Sequence, residues 1–217
     1  MGAAERIIGV DESGKGDFFG PLVIASLLAD REQLGILAGL GVRDSKLIAD
    51  KKLLGIDEQL RELFPHAVII ISPEEYNRRW EQIRNLNKLL AWGHAEAIAT
   101  VFASHEADLA ISDKFGKTEL IENALIERQL TIPLQQLVRG EVVPQVAAAS
   151  VLARAAFIRE MDNLSQACGM KLPKGAAPQV DQAGRRIVSD RGIEILPSIA
   201  KTHFKNYQRV TNPQLFV

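Results

Sequence analysis

Short apolar runs rich in β-branched residues alternate with longer segments of helical periodicity, and this alternation restricts the chain to few fold classes. Residues 6–11 and 21–29 are predicted strands, with a glycine-punctuated turn between them. Further strands are predicted at residues 67–71, 107–113 and 130–138. Helices are predicted at residues 49–63, from Pro73 onward, and at 86–103, 145–168, 179–188 and 197–206. The order predicts an α/β fold with a mixed central sheet flanked by helices and a helical C-terminal portion.

Composition excludes several classes of protein. The chain has 217 residues, 47% of them hydrophobic, and a net charge of −1, which is typical of a globular protein with a core of its own. The single cysteine, Cys168, excludes an intrachain disulfide and a thiolate zinc cage. No apolar run is long enough to cross a membrane, and acids interrupt the first apolar run, so we expect neither a membrane span nor a signal peptide. A cytoplasmic location is expected.

Acidic residues stand at the ends of two predicted strands. Asp11 and Glu12 end the first strand and Asp113 ends a later one, while Glu141 follows 28 residues after Asp113. Ligand sites of α/β sheets lie at such strand ends. Carboxylates suit Mg²⁺, and two such ions about 4 Å apart are a common device for phosphodiester cleavage. Taken singly, each acid is more often a solvated turn residue or a helix cap, and adjacent Asp11 and Glu12 face one site only if the strand ends or twists there.

The turn Ser13-Gly14-Lys15-Gly16-Asp17 is a candidate phosphate cradle. Its glycines would let backbone N–H groups approach an anion or a sugar hydroxyl. Most glycine turns are only tight connections, and neither the Walker spacing nor GxGxxG is present.

Local basic stretches occur in this nearly neutral chain, although each alone is typical of a solvated face. Together they favour a groove that contacts phosphates. Of the four histidines, His203 in the basic tail is the better candidate for a functional residue, and we interpret His94 in a long helix as a packed core residue. The basic residues are Arg43, Lys46, Lys51 and Lys52, then Lys171 and Lys174, and finally Lys201, Lys205 and Arg209.

Ordered motifs along nearly the whole chain resemble the type 2 ribonucleases H, and among them ribonuclease HIII. The longest are GVDESGKGDFFGP from Gly9 and NLNKLLAWGHAEAI from Asn85. The others, in the family's order, are DSKL, SDKF, RGE with AAASVLAR, LPKGAAPQVD and AKTHFKN. Within the family, the aspartate of GKGD (Asp17), a glutamate as the fourth acid and the lack of a tyrosine in LPKGAAPQ are similar to HIII rather than HII.

The resemblance implies a ribonuclease H-like fold and an endonuclease that cuts the RNA strand of RNA–DNA hybrids, leaving 5′-phosphate and 3′-hydroxyl ends. It implies dependence on Mg²⁺ or Mn²⁺, with two ions per site. Carried over by motif, the catalytic and metal-binding acids are Asp11, Glu12, Asp113 and Glu141.

A mechanism of this kind also predicts residues that bind substrate. The backbone of Gly14, Lys15 and Gly16 is expected to read the 2′-hydroxyl that separates RNA from DNA. Phosphates are expected to meet Lys15, Lys46 and Lys174, and His203 is a further candidate. Ser150 is expected to contact the nucleic-acid backbone or to support Glu141.

We expect one catalytic domain over residues 1–217, acting as a monomer, without the N-terminal domain similar to the TATA-binding protein that ribonucleases HIII typically carry. Two alternatives stay open. One is an HII-type enzyme that excises single ribonucleotides embedded in DNA, and the other is a hybrid-binding module without catalysis.

Overall fold

The computed structural model describes residues 5–42 and 45–212, apart from the side chain of Lys46. In this part of the chain five strands form one sheet in the order β3-β2-β1-β4-β5. Strand β1 is antiparallel to β2 and parallel to β4, which is parallel to β5. The strands are β1 (Arg6–Ser13), β2 (Leu22–Asp30), β3 (His66–Ile71), β4 (Leu109–Asp113) and β5 (Leu134–Leu137). The predicted mixed sheet is confirmed.

Most helices lie where the periodicity predicts them. Two helices, Leu34–Gly39 and Glu119–Ile126, were not predicted, and one prediction near the C-terminal end is corrected. The helix predicted over residues 197–206 is interrupted, because Ala200 pairs with Phe19 in an isolated bridge and Lys201 N–H donates to Phe18 C=O. The helices are α1 (Leu34–Gly39), α2 (Asp50–Leu63), α3 (Pro73–Ile83), α4 (Leu86–Phe102), α5 (Glu119–Ile126), α6 (Pro144–Cys168), α7 (Pro178–Arg191), α8 (Leu196–Ile199) and α9 (Lys205–Thr211).

The chain forms two compact units, and the first comprises the described residues among 1–13, 23–69 and 85–156. Its core lies between the sheet and its helices. A Cβ atom placed on Gly9 of β1 would lie 2.1 Å from the carbonyl carbon of Gln145 in α6. Glycine is therefore required where α6 crosses β1, and the Gln145 side chain fixes the crossing by donating to Ala29 C=O at 3.2 Å.

The second unit comprises the described residues among 14–22, 70–84 and 157–217. Helices α7 and α9 are joined through the Asp181 carboxylate, which accepts hydrogen bonds from Asn206 and Arg209, both at 2.6 Å. In the same unit Cys168 is buried, and this burial raises the pKa of its thiol. None of the helices in the described ranges is long and apolar enough to cross a membrane.

Candidate active site

The carboxyl ends of β1 and β4 bring two predicted acids to neighbouring positions. The parallel register pairs Val10 with Ser112, so that Asp11 and Asp113 are the next residues on adjacent strands. Both side chains are half-buried. The apolar residues before them hold the strands in the core, which places two carboxylates at one edge of the sheet.

A tight turn brings Glu141 to the same edge. The Gly140 N–H donates to Asp113 Oδ1 at 2.7 Å, and a Cβ on Gly140 would lie only 2.9 Å from Asp113 Cα. Arg139 precedes it with φ 60°, a left-handed conformation that turns the chain sharply after β5. Glu141 therefore directly follows the residue whose backbone is hydrogen-bonded to Asp113, which keeps it near that carboxylate.

Asp11 is the most strongly perturbed acid of the site. Burial raises the pKa of its carboxyl group, and the charge of Glu12 raises it further. Three contacts oppose this effect, namely a hydrogen bond from Ser150, the Glu12 N–H at 2.8 Å from Asp11 Oδ1, and the nearby His94. Two carboxylates so close together favour a cation between them.

The side chain of Ser150 donates a hydrogen bond to Asp11. The sequence instead predicts Glu141 or the nucleic-acid backbone as its partner. Its hydroxyl also contacts the Ser45 hydroxyl at 2.8 Å, and both serines are buried. Arg154, one turn along α6, donates to Ser45 C=O and to Asp50. These contacts hold the short turn Ser45–Leu47 against α6, whereas the side chain of Lys46 is outside the described part of the structure.

His94 contacts an acid of the site, although the sequence pattern indicates only a packed core residue. It is fully buried, but its Nε2 lies 3.1 Å from Glu12 Oε2 and its Nδ1 lies 3.0 Å from Ser112 Oγ. The signal available in the sequence was a polar residue on an apolar helix between small neighbours, AWGHAEA, which marks close packing. The partners could not be read, because they are 82 and 18 residues away.

His94 connects two residues of the site through its two ring nitrogens, with Ser112 Oγ on one side and Glu12 on the other. Ser112 Oγ also donates to Asp113 C=O at 2.9 Å. His94 thus fixes the orientation of Glu12.

The donor set fits a hard cation by its chemistry and by its place at the strand ends. All four acids supply oxygen, which Mg²⁺ and Mn²⁺ prefer. As placed, however, no three His, Cys, Asp or Glu side chains of the described residues surround a common point. Glu12 faces His94 and one oxygen of Asp113 is held by Gly140. Binding an ion at these positions therefore requires side-chain rotation.

The predicted substrate-binding residues of the second unit have varied surroundings. Gly14 has φ +85° and no room for a Cβ, which would lie 2.2 Å from Pro21 C=O. Lys15 and Gly16 are exposed at the tip of that turn, and Lys174 is exposed before Gly175. His203 stacks on Trp80 with ring centroids 3.9 Å apart, and burial, with the charge of Lys201, lowers its pKa to about 4. Its contact with substrate stays a prediction.

Comparison with known proteins identifies the family of the chain. The model of the family described as Ribonuclease HII matches residues 8–207. The chain belongs to this family. Its relatives include the ribonuclease HIII of Chlamydia felis, 45% identical over 94% of this chain and 69% of its own length. That of Protochlamydia amoebophila is 40% identical over 94% of this chain and 67% of its own length.

Solved structures of the family agree in fold. The crystal structure of Bst-RNase HIII in complex with Mn²⁺ is 37% identical, with a TM-score of 0.89 over 95% of this chain and 69% of that one. Aquifex aeolicus RNase H3 is 26% identical, with a TM-score of 0.76 over 92% of this chain and 72% of that one. The predicted ribonuclease H-like fold and the resemblance to ribonuclease HIII are confirmed, and the chain is a hydrolase of the ribonuclease H type.

Proposed function

We propose that the chain is a metal-dependent endonuclease that hydrolyses the RNA strand of RNA–DNA hybrids, with Asp11, Glu12, Asp113 and Glu141 as its catalytic acids. The observation that carries this proposal is the register of β1 and β4, which sets Asp11 beside Asp113, together with the contact of Gly140 on Asp113. The chain's membership of the ribonuclease HII family supports the reaction class.

The four carboxylates would hold Mg²⁺ or Mn²⁺, two ions in all, which supply Lewis-acid activation of the phosphodiester and of the attacking water when bound. A neighbour of this fold is described in complex with Mn²⁺. Ser150 and His94 orient Asp11 and Glu12 for this task. Backbone groups of Gly14 to Gly16 would read the 2′-hydroxyl, while Lys15, Lys46 and Lys174 would position phosphates without reading sequence.

The first experiment compares cleavage of a continuous RNA–DNA hybrid and of a DNA duplex with one embedded ribonucleotide, with Mg²⁺, with Mn²⁺ and with a chelator. We expect metal-dependent cleavage of the hybrid alone. A nick on the 5′ side of the lone ribonucleotide would assign the HII-type activity instead. Binding without cleavage of either duplex would leave a hybrid-binding module and contradict the proposal.

Replacing Asp11 with Asn tests the acids directly. The change removes a charge that holds the cation. The cation stabilises the transition state by several kcal/mol, so its loss should lower the rate about a thousandfold or more. Binding of the hybrid should persist. The matched control is Asp190→Asn, since Asp190 is an exposed surface residue whose Oδ2 lies 3.8 Å from Arg186 Nε. Equal cleavage by the Asp11 variant and the parent would remove Asp11 from the site.

The expected cytoplasmic location, the monomeric state and the single-domain organisation stay predictions. Analytical ultracentrifugation of the chain with and without a hybrid measures the second of these.

A further inference from the structure

Backbone hydrogen bonds hold the turn of residues 14–20 from two sides within the second unit. On one side Phe18 N–H donates to Gly175 C=O at 2.9 Å. On the other side Gly20 N–H donates to Ile199 C=O, and Lys201 N–H donates to Phe18 C=O, both at 2.9 Å. The turn proposed to read the 2′-hydroxyl is therefore built into its unit and is not a free loop.

Asp17 adds a side-chain bond to the first of these sides. Its Oδ1 accepts the N–H of Gly175 at 2.6 Å, while the next residue donates to the carbonyl of the same glycine. Gly175 has φ +83°, a conformation that side chains other than glycine rarely adopt. Both polar backbone groups of Gly175 are thus held, and this fixes the residue that directly follows Lys174.

Lys201 holds the turn from the other side through its side chain. It is fully buried, and its Nζ donates to Asp17 C=O at 2.9 Å and to Gly20 C=O at 2.7 Å. The ammonium group also lies 5.6 Å from the centre of the Tyr76 ring. Burying a lysine is costly, so a lysine placed with its donors on two carbonyls of one turn points to a need for that turn to keep its shape.

We propose that Asp17 and Lys201 are positioning residues for substrate recognition, which keep the turn of residues 14–20 and the Lys174–Gly175 segment in one fixed arrangement before the hybrid binds. This clamp (Asp17, Gly175 and Lys201) rests on the proposed function of the turn and of Lys174. It acts by preorganisation, because groups that are already ordered lose less conformational freedom on binding.

The kinetic test uses Asp17→Ala, which removes the acceptor, and Asp17→Asn, which keeps an oxygen at the same place. We expect Asp17→Ala to raise KM for the hybrid about tenfold with kcat within about twofold of the parent, and Asp17→Asn to restore most of the loss. Lys201→Met, which keeps the length of the side chain without its donors, should also raise KM. The controls are Asp190→Ala and Lys88→Met, at exposed positions on α7 and α4.

A second readout does not depend on activity, and its decisive measurement uses the parent protein. Hydrogen exchange of the parent protein should show the Gly175 amide protected, and the protection should fall in Asp17→Ala. A rapidly exchanging Gly175 amide in the folded parent would overturn the clamp.

The kinetic results separate failure of the clamp from failure of the proposed function. If the parent cuts the hybrid and Asp17→Ala keeps its KM, or loses kcat with KM unchanged, the clamp is wrong and the function stands. If the parent cuts no hybrid with Mg²⁺ or Mn²⁺, the proposed function is wrong and the positioning role fails with it.

Discussion

At the scale of single residues, the site depends on polar side chains that support the acids. Ser150 donates to Asp11, and His94 contacts Glu12 while Ser112 holds the other side of its ring. Such supporting contacts set the orientation of carboxylates and hence their affinity for a cation.

Replacement of His94 by Phe tests this support. The ring is kept in volume but loses both nitrogens, so Glu12 loses its partner, and we expect Mn²⁺ affinity to fall about 10- to 100-fold. Calorimetric titration with Mn²⁺ measures the change without any cleavage assay. His105→Phe is the control, because His105 is exposed. His94→Gln, which retains an N–H donor, should recover part of the affinity, and an unaltered affinity in His94→Phe would exclude the positioning of Glu12.

The pH dependence of stability follows from Lys201. Burial lowers its pKa from 10.5 to about 7, although the Asp17 carboxylate opposes the change. The unfolded chain therefore binds more protons than the folded chain between about pH 7 and 10.5, and stability from this group rises with pH in that window. The other facing groups do not titrate there, since the pKa of His203 is lowered to about 4 and burial raises that of Tyr76.

The free energy of unfolding in urea, measured at pH 7 and pH 9.5, checks this sign. The difference between the parent and Lys201→Met should shift in favour of the parent at the higher pH. A shift in the opposite direction would show that the folded chain holds the Lys201 proton more tightly than the unfolded chain does.

At the scale of elements, close packing of α6 on β1 sets the position of the acids. Asp11 follows the strand segment that α6 crosses at Gly9, and Ser150 stands on α6 itself. The packing of α6 on β1 thus positions both Asp11 and the serine that donates to it.

A pair of glycine replacements separates this packing from helix propensity. In Gly9→Ala the new methyl group would lie 2.1 Å from Gln145 backbone, and we expect the free energy of unfolding to fall by about 3 kcal/mol or more. In Gly55→Ala, on α2, nothing lies within 4 Å of the methyl position, so stability should rise by about 0.5–1 kcal/mol. Urea denaturation measures both, and equal effects would refute the steric argument.

The comparison of sequence and structure is most instructive at this scale. Periodicity predicted the strands that carry Asp11 and Asp113, because burial on both faces leaves a continuous apolar run. It missed the break between α8 and α9, since the reason is a bond from Lys201 to Phe18, far away along the chain. Local patterns report propensity, whereas long-range partners such as those of His94 and Ser150 depend on the fold.

At the scale of the whole molecule, the net charge does not attract nucleic acid. The net charge is −1, so any attraction to a hybrid must come from local groups such as Lys15 and Lys174. The chain spans about two thirds of the length of its curated relatives.

Salt dependence measures the contribution of a single lysine. Lys174→Ala, in the cleavage-deficient Asp11→Asn background, should weaken hybrid binding and reduce the slope of log K against log salt by about one. Lys88→Ala should leave the slope as it was. An unchanged slope in the Lys174 variant would mean that this lysine neutralises no phosphate.

The burial of Cys168 has a practical consequence for spectroscopy. A thiol reacts with maleimides as its thiolate, and here both access and ionisation are reduced. A cysteine introduced at an exposed position such as Lys15 would therefore react far faster than the native one. The natural sequence is in effect ready for single-site fluorophore attachment, and a dye on the turn would report the arrival of a hybrid in real time.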